Sequence, residues 1–427
     1  MSIAAETIFL DGRGPYPVVR PGSTAELSDL VWEAITRGEA VFPIGGQTLV
    51  DYGLPPSQPG LALDMRGLQR LIDYPAADMT VTVEAGLTLG ELQRILGEAG
   101  QWLPLDAPLS ERTTLGGALA TNLPGPRRYG YGTWRDYVLG MSVVNDRGEL
   151  TRSGGRVVKN VAGYDLHKLH IGALGTLGVI VEVTFKVRPL PEARALVCYR
   201  CRDDMLAAVL DQLHLTATRP VTMSVVNPRA AALCEPLRGW AEPETALVLI
   251  GFEEKRTTVT WQLHQLQQEL ARCSGVEYLG QWWDEGEVVW QWLADFPLLP
   301  SPQVSFRASV LPSQTAYVLK AAKHLGELAC VAHAGSGTVY GHWWEVDQNS
   351  LLQYLDALRS TAAALSRMQA EHVAAPGRVV VLRCPIAWKT PLLLWGEPAT
   401  SDWLQRKIKE AFDPQGRFNP GRFPAGW

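Results

Sequence analysis

Residues 43–48 read Pro43-Ile44-Gly45-Gly46-Gln47-Thr48. A glycine pair lets successive backbone N–H groups turn toward one anion, because no Cβ blocks the approach. Thr48 adds a hydroxyl, and the group suits a pyrophosphate. Alone, a Gly-Gly pair is more often only a turn. A second pair, Gly116-Gly117, lies among hydroxyl and amide side chains in Thr113-Thr114-Leu115-Gly116-Gly117-Ala118-Leu119-Ala120-Thr121-Asn122, after Pro104-Leu105-Asp106. Downstream come Arg128-Tyr129-Gly130-Tyr131-Gly132, a stretch beginning Gly154-Gly155, and Gly172-Ala173-Leu174-Gly175-Thr176-Leu177-Gly178-Val179-Ile180. So many glycine clusters in one domain exceed what turns require. Each marks a place where backbone passes close to something.

The elements that must position these glycines can be read from periodicity. Residues 24–37 carry apolar side chains at helical spacing and stop at Gly38. Residues 40–44 form a short apolar strand that ends in the first glycine pair. Residues 79–83 alternate as a strand, and 88–99 form an amphipathic helix with Gly100 in the C-terminal cap position. Residues 138–144 and 179–187 are further strands. Pro189 and Pro191 then break the chain and mark a domain boundary. Beyond it, strands such as 246–252 alternate with helices such as 258–272 and 351–368, which implies an antiparallel sheet with helices on one face, an α+β domain. The tail, FDPQGRFNPGRFPAGW, is an extended Pro/Gly-rich segment.

Composition narrows the function classes. A chain of 427 residues implies two or three domains, and 46% hydrophobic with 19% charged residues implies a large buried core. The formal net charge of −5 argues against nonspecific nucleic-acid binding, which needs a basic surface. The N-terminus lacks the basic start and apolar stretch of a secretory signal, and no apolar run approaches the ~20 residues of a membrane helix. The chain therefore reads as cytoplasmic, able to sit at the inner membrane face only through partners. Six cysteines include one CxxC, Cys198 and Cys201. Within ALVCYRC these read as ordinary strand cysteines, since a thioredoxin-like pair would open a helix and a zinc or iron–sulfur site needs more ligands nearby.

Taken in order, these segments resemble the FAD-binding domain of the vanillyl-alcohol oxidase and p-cresol methylhydroxylase (PCMH) type, and most closely the E-subunit family of bacterial glycolate oxidases. The resemblance rests on the run from Asn160-Val161-Ala162-Gly163-Tyr164 into Gly175-Thr176-Leu177-Gly178-Val179-Ile180, and on the tail Phe412 to Arg422. It is strong from about residue 41 to 189 and again at the tail, and vague between. It implies a two-part PCMH-type FAD-binding domain over 1–190, an antiparallel-sheet α+β cap domain over 191–404, and a C-terminal segment, 405–427, that returns to the FAD domain. Pro43, Gly45, Gly46, Gln47 and Thr48 would hold the pyrophosphate. Pro104, Thr114, Gly116, Gly117, Thr121, Asn122 and Gly130 would line the flavin and its ribityl-phosphate arm. Gly175, Gly178, Val179 and Ile180 would present backbone to the cofactor, and Asn419 would close the site from the tail. Some members attach FAD through a histidine near the first loop. No histidine precedes His167 here, and of the other residue types able to attach a flavin, Cys and Tyr, neither occupies the matching loop apart from Tyr52 just beyond it, so the FAD is read as noncovalent.

The chain also departs from its relatives. Related 2-hydroxy-acid dehydrogenases carry HxGDGNxH in the second domain, where it binds a metal that grips the substrate. Here the stretch reads His333-Ala334-Gly335-Ser336-Gly337-Thr338-Val339-Tyr340. Serine and tyrosine are poor ligands for a divalent cation beside carboxylate and imidazole, so no metal is expected. No catalytic base stands out. Arg307 could grip a carboxylate or be a plain surface arginine, and position alone does not make His170 or Lys159 a base. Tryptophan is abundant, at 15 residues, with Trp282, Trp283, Trp290 and Trp292 clustered and Trp343-Trp344 after the altered motif. These are core residues first and interface anchors second. The resemblance implies an FAD-bearing subunit of a glycolate dehydrogenase complex, acting on a small 2-hydroxy acid beside a homologous flavoprotein subunit and an iron–sulfur subunit. A self-sufficient FAD-dependent dehydrogenase and a non-catalytic flavin-binding scaffold are the alternatives.

Overall fold

A computed structural model describes residues 6–156, 163–299, 301–368 and 377–424. Lys159 and most of the Asn160–Gly163 motif lie outside the described residues. The chain forms two compact units. The first comprises residues 1–123, 133–190 and 389–427, and the second 124–132 and 191–388.

The first unit holds two principal sheets. One has four strands in the order Thr7–Leu10, Arg13–Val19, Gly60–Asp64, Ala40–Ile44. Its first pair is antiparallel, and Gly60–Asp64 runs parallel to both neighbours. The other is a five-stranded antiparallel sheet in the order Leu71–Asp73, Thr80–Glu84, Val179–Lys186, Val138–Val144, Leu150–Gly154. The helix Thr24–Thr36 ties them together. Ser23 caps it by accepting from the Glu26 amide at 3.2 Å, and Gly38 follows its end at φ +75°. Its apolar stripe, Leu27, Val31, Ala34 and Ile35, packs with Val41 and Leu63 of the first sheet and Val144, Val179 and Val181 of the second. Phe418 from the tail completes this core with no solvent exposure.

The second unit is built on an eight-stranded sheet in the order Val276–Trp282, Ala193–Arg202, Thr245–Glu254, Thr222–Val226, Ala329–His333, Thr338–Trp343, Val304–Ser309, Arg378–Arg383. Every pairing in it is antiparallel. Helices Arg256–Leu270 and Gln348–Met368 fall where the helical spacing put them. Cys198 and Cys201 both lie in the strand Ala193–Arg202 with free thiols that burial pushes well above the ordinary range. The short stretch 124–132 joins this unit through a buried ion pair: Arg127 Nε donates to Glu253 Oε1 at 3.0 Å, and its guanidinium sits 4.5 Å from the Trp290 ring centroid. The architecture is thus α+β, with an antiparallel-sheet second unit.

Candidate functional site

The strand Ala40–Ile44 is buried along nearly its whole length, so it delivers the first glycine pair from a fixed base. On the side away from Gly60–Asp64, Val41 bridges to Phe418, its amide donating to Arg417 O and its carbonyl accepting from Asn419 N. Past Ile44 the backbone changes character. Among the described residues, the amides of Gly45, Gly46, Gln47, Thr48 and Leu49 donate to no protein acceptor. Consecutive unpaired amides are costly when shielded from water and become favourable when they converge on an anion. The glycines are needed here for the protein's own packing too. A Cβ on Gly45 would stand 2.1 Å from Thr114 Oγ1, and one on Gly46 would stand 1.7 Å from the Arg112 carbonyl oxygen.

The second glycine pair opens the helix Leu115–Thr121. Thr114 caps it, its Oγ1 accepting from the Gly117 amide at 3.3 Å, and Gly116 N donates to Ala85 O at 2.7 Å. A Cβ on Gly117 would meet only Thr114 Oγ1, at 3.1 Å, so the space beyond it is open. A third wall comes from the turn before strand Val179–Lys186, where Leu174, Gly175 and Gly178 all have positive φ. Asn419 donates from Nδ2 to Leu174 O at 2.8 Å and so fastens the tail to that turn.

These three glycine segments and the tail surround one cavity within the first unit, about 990 Å³ counting its open mouth. Pro43, Gly45, Gly46, Gln47 and Thr48 line it, as do Thr114, Gly116, Gly117 and Thr121, and so do Gly175, Gly178, Ile180 and Asn419. Four expected residues lie elsewhere. Val179 points into the core and Ile180, its alternate neighbour, takes the cavity side. Asn122 terminates the helix in the left-handed region, at φ 47°. Pro104 is buried outside the lining. Gly130 belongs to the second unit, where its amide donates to Val221 O and a Cβ would meet Val221 Cα at 2.6 Å. Close approach is its reason for being glycine, but the neighbour is protein.

Sequence reasoning missed Leu10, Leu49, Val50, Met65 and Ala85 on the cavity wall, ordinary residues with no motif to mark them, while Tyr52, noted just beyond the first loop, is on the wall too. It also missed Thr113 and Arg422, which lie inside the recognised segments. Thr113 alters the role expected of Thr48. Thr113 Oγ1 donates to Pro108 O at 2.6 Å, so the 3.1 Å contact between Thr48 and Thr113 hydroxyls uses the proton of Thr48. Thr48 then faces a ligand as an acceptor. Arg422 is buried and donates to Leu54 O at 3.1 Å and to Val50 O, and burial pushes its pKa down.

The arrangement fits FAD. The amide run and glycine approaches suit the pyrophosphate, while Leu10, Leu49, Met65 and Ile180 give the apolar wall that an aromatic ring system needs. Among the described residues, the lining contains no histidine and no cysteine for covalent attachment, and Tyr52 is the tyrosine on it.

The altered histidine motif lies in the second unit. His333 is 1% exposed; its Nδ1 lies 3.1 Å from Ser224 Oγ, its Nε2 has no partner, and burial lowers its pKa to about 3. Tyr340 donates its hydroxyl to Pro124 O at 2.7 Å, and Ser336 donates to His333 O at 3.2 Å. Gly335 is packed so tightly under Tyr129 that a Cβ would stand 2.5 Å from its ring. Two of the motif's positions, Gly335 and Tyr340, are thus spent on the segment 124–132. Among the described residues, no three His, Cys, Asp or Glu side chains are grouped to hold a metal. Arg307 stands opposite Tyr340 on the neighbouring strand, with its Nε buried and unpartnered. His170 is held neutral, with burial lowering its pKa to about 4, and packs edge-on against Phe412.

Comparison with known proteins agrees with this geometry. Residues 15–154 match the family "FAD binding domain", and 398–423 match "FAD linked oxidases, C-terminal domain". The chain is 28% identical over 430 residues to D-2-hydroxyglutarate dehydrogenase of Xanthomonas citri pv. viticola, covering 96% of this chain and 89% of the relative. It is 42% identical over 243 residues to glycolate oxidase subunit GlcE of Escherichia coli K12, covering 56% of this chain and 68% of the relative. In structure it is similar to alkyldihydroxyacetonephosphate synthase, with a TM-score of 0.67 at 19% identity over 95% of this chain and 77% of the other. That likeness bears on the fold alone.

Proposed function

The chain belongs to the family of FAD-dependent 2-hydroxy-acid dehydrogenases, and from that premise we propose that it is an FAD-bearing subunit of a glycolate-oxidising complex. The observation that carries this reading is Tyr340. Where the metal-binding pattern of related dehydrogenases has a second histidine, this chain has a tyrosine whose hydroxyl is bonded to Pro124 O. The 42% identity to a glycolate oxidase subunit supports the choice of glycolate over other 2-hydroxy acids. The match to a D-2-hydroxyglutarate dehydrogenase along 96% of the chain favours the second reading, a self-sufficient dehydrogenase.

FAD, when bound, supplies a hydride acceptor for oxidation of a hydroxyl carbon. The chain's own residues bind and orient it. The amides of Gly45 to Leu49 would hold the pyrophosphate, the open face of Gly117 would admit the cofactor, and the tail through Asn419 keeps the third wall in place. The apolar wall excludes water from the ring. Among the described residues, no side chain lining the cavity is a ready base at neutral pH, which supports a division of labour: a homologous flavoprotein partner handles the substrate and an iron–sulfur partner takes the electrons. Among the described residues no helix is long and apolar enough to cross a membrane, so any seat at the inner face of a membrane would come through those partners.

The test is anaerobic mixing of the FAD-loaded chain with glycolate, following flavin absorbance. No bleaching alone, with turnover once the homologous flavoprotein and iron–sulfur subunits are added, is the expected result. Losing the substrate's main electrostatic anchor typically costs about a hundredfold or more in rate. Rapid bleaching without partners contradicts the subunit reading and favours the self-sufficient enzyme.

A further inference from the structure

The loop that follows the amide run is held from behind by two buried cations. Lys389, whose side chain has no solvent exposure, donates to Asp11 Oδ2 at 2.7 Å, to Gly53 O at 3.1 Å and to Asp51 O. Arg422 donates to Leu54 O at 3.1 Å and to Val50 O, with Asp11 Oδ2 3.8 Å away. Four carbonyls within residues 50–54 are therefore taken by cations from the C-terminal part of the chain. The tail adds Leu54 N to Arg422 O and Ser57 N to Pro420 O, at 3.4 and 3.2 Å. Gly53 fits only because it lacks a Cβ, which would stand 2.4 Å from Arg422 O.

Nothing in the oxidation chemistry requires a fully buried lysine here. Burying two cations against Asp11, with the Asp51 carboxylate nearby, is costly unless the remaining protons find acceptors. Here they find backbone carbonyls, and each one fixes the orientation of a peptide plane. The loop so fixed also holds the residue before it, since Tyr52 N donates to Leu49 O at 3.1 Å. The run that precedes, Gly45 to Leu49, has its amides unpartnered and lines the cavity.

We infer that Lys389 and Arg422 are positioning residues for the cofactor's pyrophosphate: they fix the loop 50–54 and thereby preorganise the amide run at 45–49. This rests on the FAD reading of the cavity and goes beyond it, by assigning the binding strength of that loop to side chains more than 300 residues away in sequence. Lys389 is outside the cavity lining and acts only through the loop, whereas Arg422 also lines the cavity. Their contribution is entropic, since a loop held open in its binding shape loses less freedom when the ligand arrives.

The experiment uses the full chain, stripped of flavin and titrated with FAD by fluorescence quenching well below the melting temperature of every variant. Melting of the flavin-free protein is recorded alongside. Lys389→Met should weaken FAD binding about tenfold or more, the scale of one lost hydrogen bond from a charged group. Arg422→Lys keeps the charge but cannot reach both carbonyls, and should weaken binding in the same direction with a smaller change in melting. It carries the test if Lys389→Met does not fold. Folded variants with wild-type FAD affinity overturn the inference, and a lower melting temperature with unchanged affinity reduces the cations to a structural role. A wild-type chain that takes up no FAD overturns the cofactor reading and this inference with it.

Discussion

Glycine at position 46 and glycine at position 117 are required for different reasons, and the difference can be measured. At Gly46 a Cβ would stand 1.7 Å from a backbone oxygen of the same chain, so any side chain there disturbs the loop with or without cofactor. At Gly117 a Cβ meets only Thr114 Oγ1, and the volume beyond is cavity. Gly117→Val should therefore leave the flavin-free protein folded, since valine is no worse a helix former than glycine. Its two methyl groups would occupy cofactor space, and FAD affinity should drop by about a hundredfold, roughly 2.7 kcal/mol. Circular dichroism and flavin titration on the same sample check both halves. Normal flavin content would show that this turn does not face the cofactor. Residue identity alone suggested the glycines, but could not say which close approach was to ligand and which to protein. Gly130 illustrates this: its neighbour is Val221, 91 positions away in sequence, and no local pattern announces it.

At the scale of elements, much of the first unit was legible. The helix expected over 24–37 is Thr24–Thr36, and the strands expected over 40–44 and 138–144 are Ala40–Ile44 and Val138–Val144. Strong periodicity and glycine or serine punctuation made them so. What could not be read was a long-range choice. The stretch 124–132 looks like one more glycine loop, yet Arg127 pairs with Glu253 and Tyr340 reaches Pro124. Strand alternation settles the split between Val179 and Ile180, but only once the core side is known. The tail was read as an extended segment that returns to the FAD domain. Its anchor is Phe418, fully buried between the helix and both sheets. Phe418→Ala should destabilise the first unit by about 3–5 kcal/mol, measured by urea unfolding, since it leaves a cavity in a packed core. A cost under about 1 kcal/mol would mean that the tail is not part of that core.

For the whole molecule, buried neutral histidines set an acid limit. Burial lowers the pKa of His333 to about 3 and those of His170 and His342 to about 4. Unfolded, each returns to an ordinary value near 6.5 and takes up a proton below it. Between about pH 6.5 and 4 the unfolded chain thus binds more protons than the native one, so stability falls as the pH falls. Each histidine contributes up to about 1.4 kcal/mol per pH unit in that window. Denaturation midpoints at pH 7.5, 6 and 5 should decline in that order, and a midpoint that stays level or rises below pH 6 would contradict the burial of these rings as neutral species. The cofactor is the claim on which the rest depends, and flavin content tests it most directly. The purified chain, supplied with FAD, should be yellow with about one flavin per chain, and acid precipitation should release that flavin to the supernatant as FAD. Flavin that stays with the precipitate would contradict the noncovalent attachment, and a colourless chain that takes up no added FAD would contradict the account itself.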